Sequence, residues 1–354
     1  MMEYKKQLDE LLEHLIAEGG SDLHFTEGRS PTIRVSGFLI PLVNYKPLSK
    51  VDTQGFMEQL LRTEDRVMFL STKEIDFSYE YKDKARFRGN CYFQQGGIAI
   101  ALRLIPRKIR LFSELSLPPI LESFAELQQG FFLVVGPIGH GKSTTLAAMI
   151  ETINQNRPEH IMTIEDPIEY VYEPKQSIID QREVRIDTKD FSSALVSTFR
   201  QDADVILVGE MRDTATIATA VTAAETGHLV FSTLHTNNAA QSIDRIIDSF
   251  PPGQQDQVRV QLAGSLTGIF SQRLIPRISG GLVPSYELLI NNTAVANLVR
   301  EKRTFELNSV IETSSQQGMI DMNRSLADLV RRGEITAENA YLYSLNPKAL
   351  EKLI

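Results

Sequence analysis

Hydrophobic spacing changes character along the chain, and each change marks a different kind of element. Leu8, Leu11, Leu12, Leu15 and Ile16 recur at the three-to-four-residue interval of one helical face, and Gly19-Gly20 follows as a stop. The period then drops to two. Thr32-Ile33-Arg34-Val35, Phe77-Ser78-Tyr79-Glu80-Tyr81 and Ile98-Ala99-Ile100-Ala101-Leu102-Arg103-Leu104 alternate as half-buried strands do. Residues 1–105 therefore predict a small α+β domain. Pro106, the basic cluster Arg107, Lys108 and Arg110, and Pro118-Pro119 interrupt both periodicities, which places an interdomain linker and hinge at 106–119.

From residue 120 onward the apolar runs become continuous. Phe131-Phe132-Leu133-Val134-Val135 ends in a glycine-rich turn, and Thr144-Thr145-Leu146-Ala147-Ala148-Met149-Ile150 continues as helix. Ile161-Met162-Thr163-Ile164, Val205-Ile206-Leu207-Val208 and Leu229-Val230-Phe231 alternate with helical stretches. Such runs predict an α/β domain over 120–354 whose mostly parallel sheet is buried on both faces, with a helical region from about Asn291.

Composition narrows the classes. The 354 residues exceed one usual domain, and 42% hydrophobic content suffices for packed cores. Basic and acidic residues number 37 and 45, a net −8 without long runs of either sign, which disfavours nucleic acid and anionic membrane as partners. Cys91 is the single cysteine, so neither an internal disulfide nor a four-cysteine zinc site is available, and a reducing compartment is expected. Glu3, Lys5, Lys6, Asp9 and Glu10 make the start too charged for a signal peptide, and no apolar run reaches the ~20 residues needed to span a bilayer. Direct membrane insertion is not expected, and membrane association must come through partners.

The chemistry centres on GPIGHGKS, Gly136 to Ser143, in the strand–loop–helix context that a phosphate loop requires. Gly136, Gly139 and Gly141 let successive N–H groups point into one anion nest at a helix N-terminus; Lys142 reaches the β and γ phosphates and the Ser143 hydroxyl ligates Mg²⁺. Hydrolysis also needs carboxylates at neighbouring strand ends. Glu210 closes the strand Val205 to Val208, with Gly209 standing where many phosphate-loop enzymes carry aspartate. Glu165, Asp166 and Glu169 form the second acidic cluster, whose plainer reading is a solvated turn. His228 and His235 flank the strand Leu229 to Thr233; their odd separation points them to opposite faces, against a shared metal. Either is a structural hydrogen-bonding group or a γ-phosphate sensor.

Four ordered segments, GPIGHGKST, TIEDPIEY, ILVGEMRD and TGHLVFSTLHT, resemble the Walker A, aspartate box, Walker B and histidine box of the secretion ATPase superfamily. Within it the chain resembles the type IV pilus retraction, or twitching motility, ATPases of PilT type over nearly its full length. The carriers are Ser21-Asp22-Leu23-His24 with Ile33-Arg34-Val35, Gln181-Arg182-Glu183-Val184, Thr222 to His228, Gly318-Met319, and Ala294 to Glu301. The last is similar to the retraction-associated AIRNLIRE element, with Ala296 in place of arginine. Ile138 and His140 likewise stand where that family carries threonine and serine.

The resemblance implies a PAS-like N-terminal domain joined by the linker to a RecA-like ATPase domain. It implies a cytoplasmic homohexamer, peripheral to the inner membrane, that uses ATP and Mg²⁺ and meets an inner-membrane pilus platform protein, with a second retraction ATPase as a further partner. Glu169 carries over as general base and Glu210 as the magnesium-side glutamate. Pro137, Ile138, His140 and Thr144 join the loop residues in holding nucleotide, with Glu165, Asp166, His228 and His235 nearby. Arg86, Arg88 and Arg103 correspond to arginines that reach a neighbouring subunit's nucleotide, where an arginine would neutralise transition-state charge; a solvated strand face is the other reading of each. Three alternatives are an accessory retraction ATPase that needs a partner motor, a pilus-assembly or type II secretion ATPase, and a DNA-translocating phosphate-loop ATPase, which the acidic balance disfavours. The second normally carries a four-cysteine zinc module, which one cysteine cannot build.

Overall fold

The computed structural model describes residues 2–35, 37–82, 84–105 and 108–354. Pro106 and Arg107 of the expected linker lie outside the described residues. Two compact units emerge: Met1–Lys108 with Pro167–Val171, and Ile109–Asp166 with Tyr172–Ile354.

The first unit opens with α1 (Met2–Ala17), in which the helical stripe Leu8, Leu11, Leu12 and Leu15 is completely buried. Three short strands follow, β1 (Asp22–Phe25), β2 (Thr32–Val35) and β3 (Phe38–Pro41), then α2 (Lys50–Leu60) and α3 (Thr63–Thr72). Ser49 starts α2 through a capping box with Asp52, each satisfying the other's backbone N–H. The unit ends with β4 (Glu74–Tyr81), β5 (Ala85–Gln94) and β6 (Gly97–Ile105). The described strands form an antiparallel sheet in the order β3-β2-β1-β6-β5-β4, with Phe25 of β1 stacked on Phe56 of α2 at 4.6 Å. The first half of β6 does not alternate. Lying between β1 and β5, it buries Ile98 and Ile100 on one face and Ala99 on the other, as central strands do. Cys91 is buried in β5, and that burial pushes its thiol up, so the reactive thiolate is suppressed.

The second unit runs α4 (Leu121–Ala125), β7 (Gly130–Val135), α5 (Lys142–Asn156), β8 (His160–Glu165), β9 (Ile178–Glu183), α6 (Phe191–Thr198), β10 (Val205–Val208), α7 (Thr214–Glu225), β11 (Leu229–Leu234), α8 (Ala239–Asp248) and α9 (Pro252–Ser265). A hairpin of β12 (Leu266–Pro276) and β13 (Leu282–Ile290) comes next. The chain then turns helical through α10 (Thr293–Arg300), α11 (Leu307–Thr313), α12 (Met322–Arg331), α13 (Ala337–Tyr343) and α14 (Pro347–Leu350). Strand order is β13-β12-β7-β11-β10-β8-β9, parallel throughout except for β13. Phe131 to Val135 have no exposed surface, which is why the central strands read as unbroken apolar runs. Ile275 and Val283 of the hairpin pack with Met322 and Leu326 of α12 in a separate small core. Among the described residues no helix is long and apolar enough to cross a membrane.

Candidate functional site

Parallel registry brings the chemistry to one edge of the second unit's sheet. Val135 pairs with Leu234, and Val208 pairs with both Ser232 and Ile164, so β7, β11, β10 and β8 all end on the same side. The residues that immediately follow, Gly136, His235 and Gly209-Glu210, therefore converge there with Glu165, as the ligand-binding crevice of a parallel sheet requires.

The loop after β7 needs its glycines. Gly136 has φ 144°, and a Cβ there would stand 2.4 Å from the Gln272 carbonyl oxygen of β12. Gly141 caps α5 from the left-handed region at φ 81°, with the Gln272 amide 2.9 Å from where a Cβ would sit. Gln272 lashes the loop from below: its Nε2 donates to His140 O at 3.0 Å and its Oε1 accepts from Thr145 Oγ1 at 2.6 Å. His140 completes the attachment by accepting the Leu274 N–H on Nδ1 at 2.9 Å, which leaves the ring proton on Nε2. Burial first, and then the charges of Arg273 and Lys142, hold His140 below its ordinary value and keep it the neutral acceptor this bond needs. Ile138 stands 81% exposed at the loop tip beside half-buried Pro137; Ser143 is exposed and Thr144 half-buried on the first turn of α5.

Lys142 is buried, and its Nζ donates to Gly136 O and Pro137 O at 2.9 Å each while lying 3.3 Å from His235 Nδ1. On the other side of that ring, His235 Nε2 is 3.7 Å from Glu210 Oε2, and Glu210 Oε1 also meets Arg212. His235 thus bridges the loop lysine to the strand-end glutamate. Burial lowers its pKa, helped by Lys142 and opposed by Glu210. Gly209 lies close to the end of β8: a Cβ there would stand 3.3 Å from Ile164 O, a tight approach that a small shift relieves, and 3.5 Å from Glu165 Cα, an ordinary contact. Glu165 is buried and accepts from Thr163 Oγ1 at 2.7 Å, while Asp166 pairs with Arg185 at 2.5 Å.

Other expected site residues lie elsewhere. Glu169 falls in Pro167–Val171, within the first unit, where its Oε1 accepts from Arg88 Nη1 at 3.0 Å. The expected base and one expected arginine are therefore partners in the same chain. Arg103, largely exposed, donates from Nε to Asp22 Oδ1 at 2.9 Å, and Arg86 stands opposite Glu80 and Ile105 in the ladder. His228 sits at the start of β11, with Nδ1 3.0 Å from Ala223 O and its ring edge-on to Phe199. Seven residues of strand at about 3.3 Å each set it on the order of 20 Å from His235, at the opposite edge of the sheet. The two histidines therefore flank opposite ends of β11. Sequence reasoning missed Gln272 and Arg212. The signal for Gln272 was the polar triplet Ser271-Gln272-Arg273 set between the apolar pairs Ile269-Phe270 and Leu274-Ile275.

A phosphate loop between a buried parallel strand and a helix, with a lysine–histidine–glutamate line across the strand ends, defines an α/β nucleotide triphosphatase of the phosphate-loop class. The Type II/IV secretion system protein family matches residues 3–294, and the chain belongs to that family. It is 44% identical to the type IV pilus retraction ATPase PilT of Pseudomonas aeruginosa, over 94% of this chain and 96% of that one. With the type IV pilus ATPase PilU of the same organism it shares 38% identity over 98% of this chain and 91% of that one. The crystal structure of the pilus retraction motor PilT with bound ADP superimposes with a TM-score of 0.90 at 46% identity, covering 97% of this chain and 98% of that one. The chain is accordingly an ATP-hydrolysing enzyme with secretion-ATPase architecture.

Proposed function

We propose that this chain is a motor ATPase that hydrolyses ATP to power type IV pilus retraction, as a homohexamer that meets an inner-membrane pilus platform protein from the cytoplasmic side. The observation that carries the reading is the line Lys142–His235–Glu210 across the strand ends, in a chain similar over almost its whole length to retraction ATPases. Its organisation is read as a PAS-like domain over 1–105, a linker over 106–119 and a RecA-like domain over 120–354.

In this reading Gly136 to Thr144 hold the triphosphate through backbone N–H groups at the start of α5. Lys142 leaves the Gly136 and Pro137 carbonyls, which hold its ammonium at 2.9 Å, for the more strongly charged β and γ oxygens. Ser143 and Glu210 offer the hard oxygen donors that suit Mg²⁺, an ion that takes one or two protein ligands beside the phosphates. Bound there, it neutralises developing charge on the transferred group. Glu169 orients the attacking water, and Arg88 both holds Glu169 and supplies positive charge; Arg86 and Arg103, on strands of the same sheet as Arg88, serve a neighbouring subunit's nucleotide in this reading. Glu165 and Asp166 shape the acidic edge, while His228, at the far end of β11, holds to Ala223 and Phe199.

The test is light scattering with and without nucleotide, together with Mg²⁺-dependent hydrolysis and the frequency of pilus retraction in cells lacking the chain. A hexamer that hydrolyses ATP, with retraction lost in its absence, is expected; normal retraction in its absence defeats the motor reading. The likeness to PilU favours one second reading, an accessory retraction ATPase that works beside a partner motor. Retraction restored by a partner ATPase, while this chain carries an inactive site, would select it.

A further inference from the structure

Between His235 and α8 the chain runs Thr236-Asn237-Asn238, and three side chains of the β12–β13 hairpin grip that segment. Ser271 Oγ donates to Asn237 O at 2.9 Å, Arg273 Nη2 donates to Asn237 Oδ1 at 3.2 Å, and Glu287 Oε1 accepts the Ala239 N–H at 2.8 Å. Ser271 pairs with Glu287 in the ladder and Arg273 lies two residues on, so all three project from one face of the hairpin.

Glu287 is 6% exposed, and taking a carboxylate out of water is costly unless its partners compensate. Burial raises its carboxyl to about 7; the Ala239 N–H and Arg273 work against that rise, and Asp321, just ahead of α12, works with it. The Nε of Arg273 is itself buried without a hydrogen-bond partner among the described residues. Asn238 Oδ1 accepts from Gln241 N at 2.8 Å, and Glu287 satisfies the separate Ala239 N–H at the first position of α8, so the glutamate also completes the start of that helix. What Glu287 fixes is the exit of the loop whose entry is His235.

We propose that Glu287, with Ser271 and Arg273, forms a brace that positions His235 between Lys142 and Glu210. Glu287 is a positioning residue: it acts on hydrolysis through the loop and touches no substrate. The brace rests on the reading of His235 as part of the hydrolytic site. Above about pH 7 the Glu287 carboxylate carries charge that Arg273 attracts; below it, the neutral acid keeps the amide contact and loses that attraction.

The test is steady-state ATP hydrolysis by the full chain in its assembled state with Mg²⁺, from pH 6 to 8.5, alongside thermal melting. Glu287→Leu is expected to lower kcat about tenfold while the KM for ATP stays within about twofold, the mark of an interaction that matters in the transition state. Glu287→Gln keeps a carbonyl acceptor for the Ala239 amide, so it should restore kcat to within about threefold and flatten its dependence on pH between 6 and 8. In a His235→Ala background, Glu287→Leu should cost nothing further, because the two act as one unit. Wild-type kcat in Glu287→Leu, a glutamine variant no better than the leucine one, or losses that multiply with His235→Ala would each overturn the brace. Should the leucine variant fail to fold, Ser271→Ala carries the same test, with a kcat fall of about twofold to fivefold that vanishes without His235. A His235→Ala protein with full activity would instead overturn the reading of the site, and the brace with it.

Discussion

Arg88 Nη1 and Glu169 Oε1 stand 3.0 Å apart, joining two residues that lie 81 positions apart in the chain. The Arg88 guanidinium orients the Glu169 carboxylate, as a base that directs water must be oriented, and in the proposed mechanism the same cation supplies positive charge. Glu169→Gln should lower kcat by about 10²–10⁴-fold while nucleotide still binds, the range for loss of a general base. Arg88→Ala should also lower kcat, through a misplaced carboxylate, and a faster Arg88→Ala enzyme would mean that the pair only restrains Glu169. Rapid-quench measurement of the chemical step, with binding of a fluorescent ATP analogue alongside, separates these outcomes.

Lys142 in this structure is bound to the Gly136 and Pro137 carbonyls and lies beside His235. Removing its ammonium takes away one charge-assisted contact to phosphate, worth about 1.5–3 kcal/mol, so Lys142→Ala should weaken ATP binding by about tenfold to a hundredfold and abolish turnover. Isothermal titration with ATP checks the first effect. Retention of wild-type affinity would show that the backbone nest alone supplies the binding energy.

The His140–Leu274 bond predicts a pH dependence of stability. His140 is held below its ordinary 6.5, so below pH 6.5 the unfolded chain binds a proton that the native ring refuses. The stabilisation is complete above pH 6.5 and is lost as pH falls through the lowered native value. His140→Ser should remove about 1 kcal/mol at pH 7.5 and flatten the acid limb of melting temperature against pH. An equally steep acid limb in the variant would assign that slope to other groups.

Much of this site was legible because it is local. A strand buried on both faces must read as an apolar run, and a loop that turns its N–H groups inward must carry glycine where a Cβ would strike Gln272, so Phe131 to Ile150 announced itself. What escaped depends on topology. Gln272 reaches His140 across 132 residues, and Glu287 is hidden in the apolar stretch Val283 to Ile290, where a lone acid resembles an interruption. The length of β11 also sets His228 and His235 at opposite ends of one strand, which the spacing alone leaves unsaid.

Glu210 offers the sharpest separation of binding from hydrolysis. Its carboxylate lies at the end of β10 with Arg212 on one oxygen and His235 on the other, and the contacts described above link it to the loop through His235 and Lys142. Truncation to alanine therefore leaves Gly136 to Ser143 intact for the phosphates, while removing the oxygen donor proposed for Mg²⁺ and leaving His235 unpaired beside Lys142. The expected result is ATP affinity within about threefold of wild type and turnover reduced at least about a hundredfold, because stabilisation of developing charge is lost at the reacting end only. Raising Mg²⁺ should recover part of the rate if the glutamate acts on the metal; a rate indifferent to Mg²⁺ would place its role with His235. Intact hydrolysis in Glu210→Ala would remove it from the chemistry and leave Glu165, the other strand-end carboxylate on this edge, as the group to test.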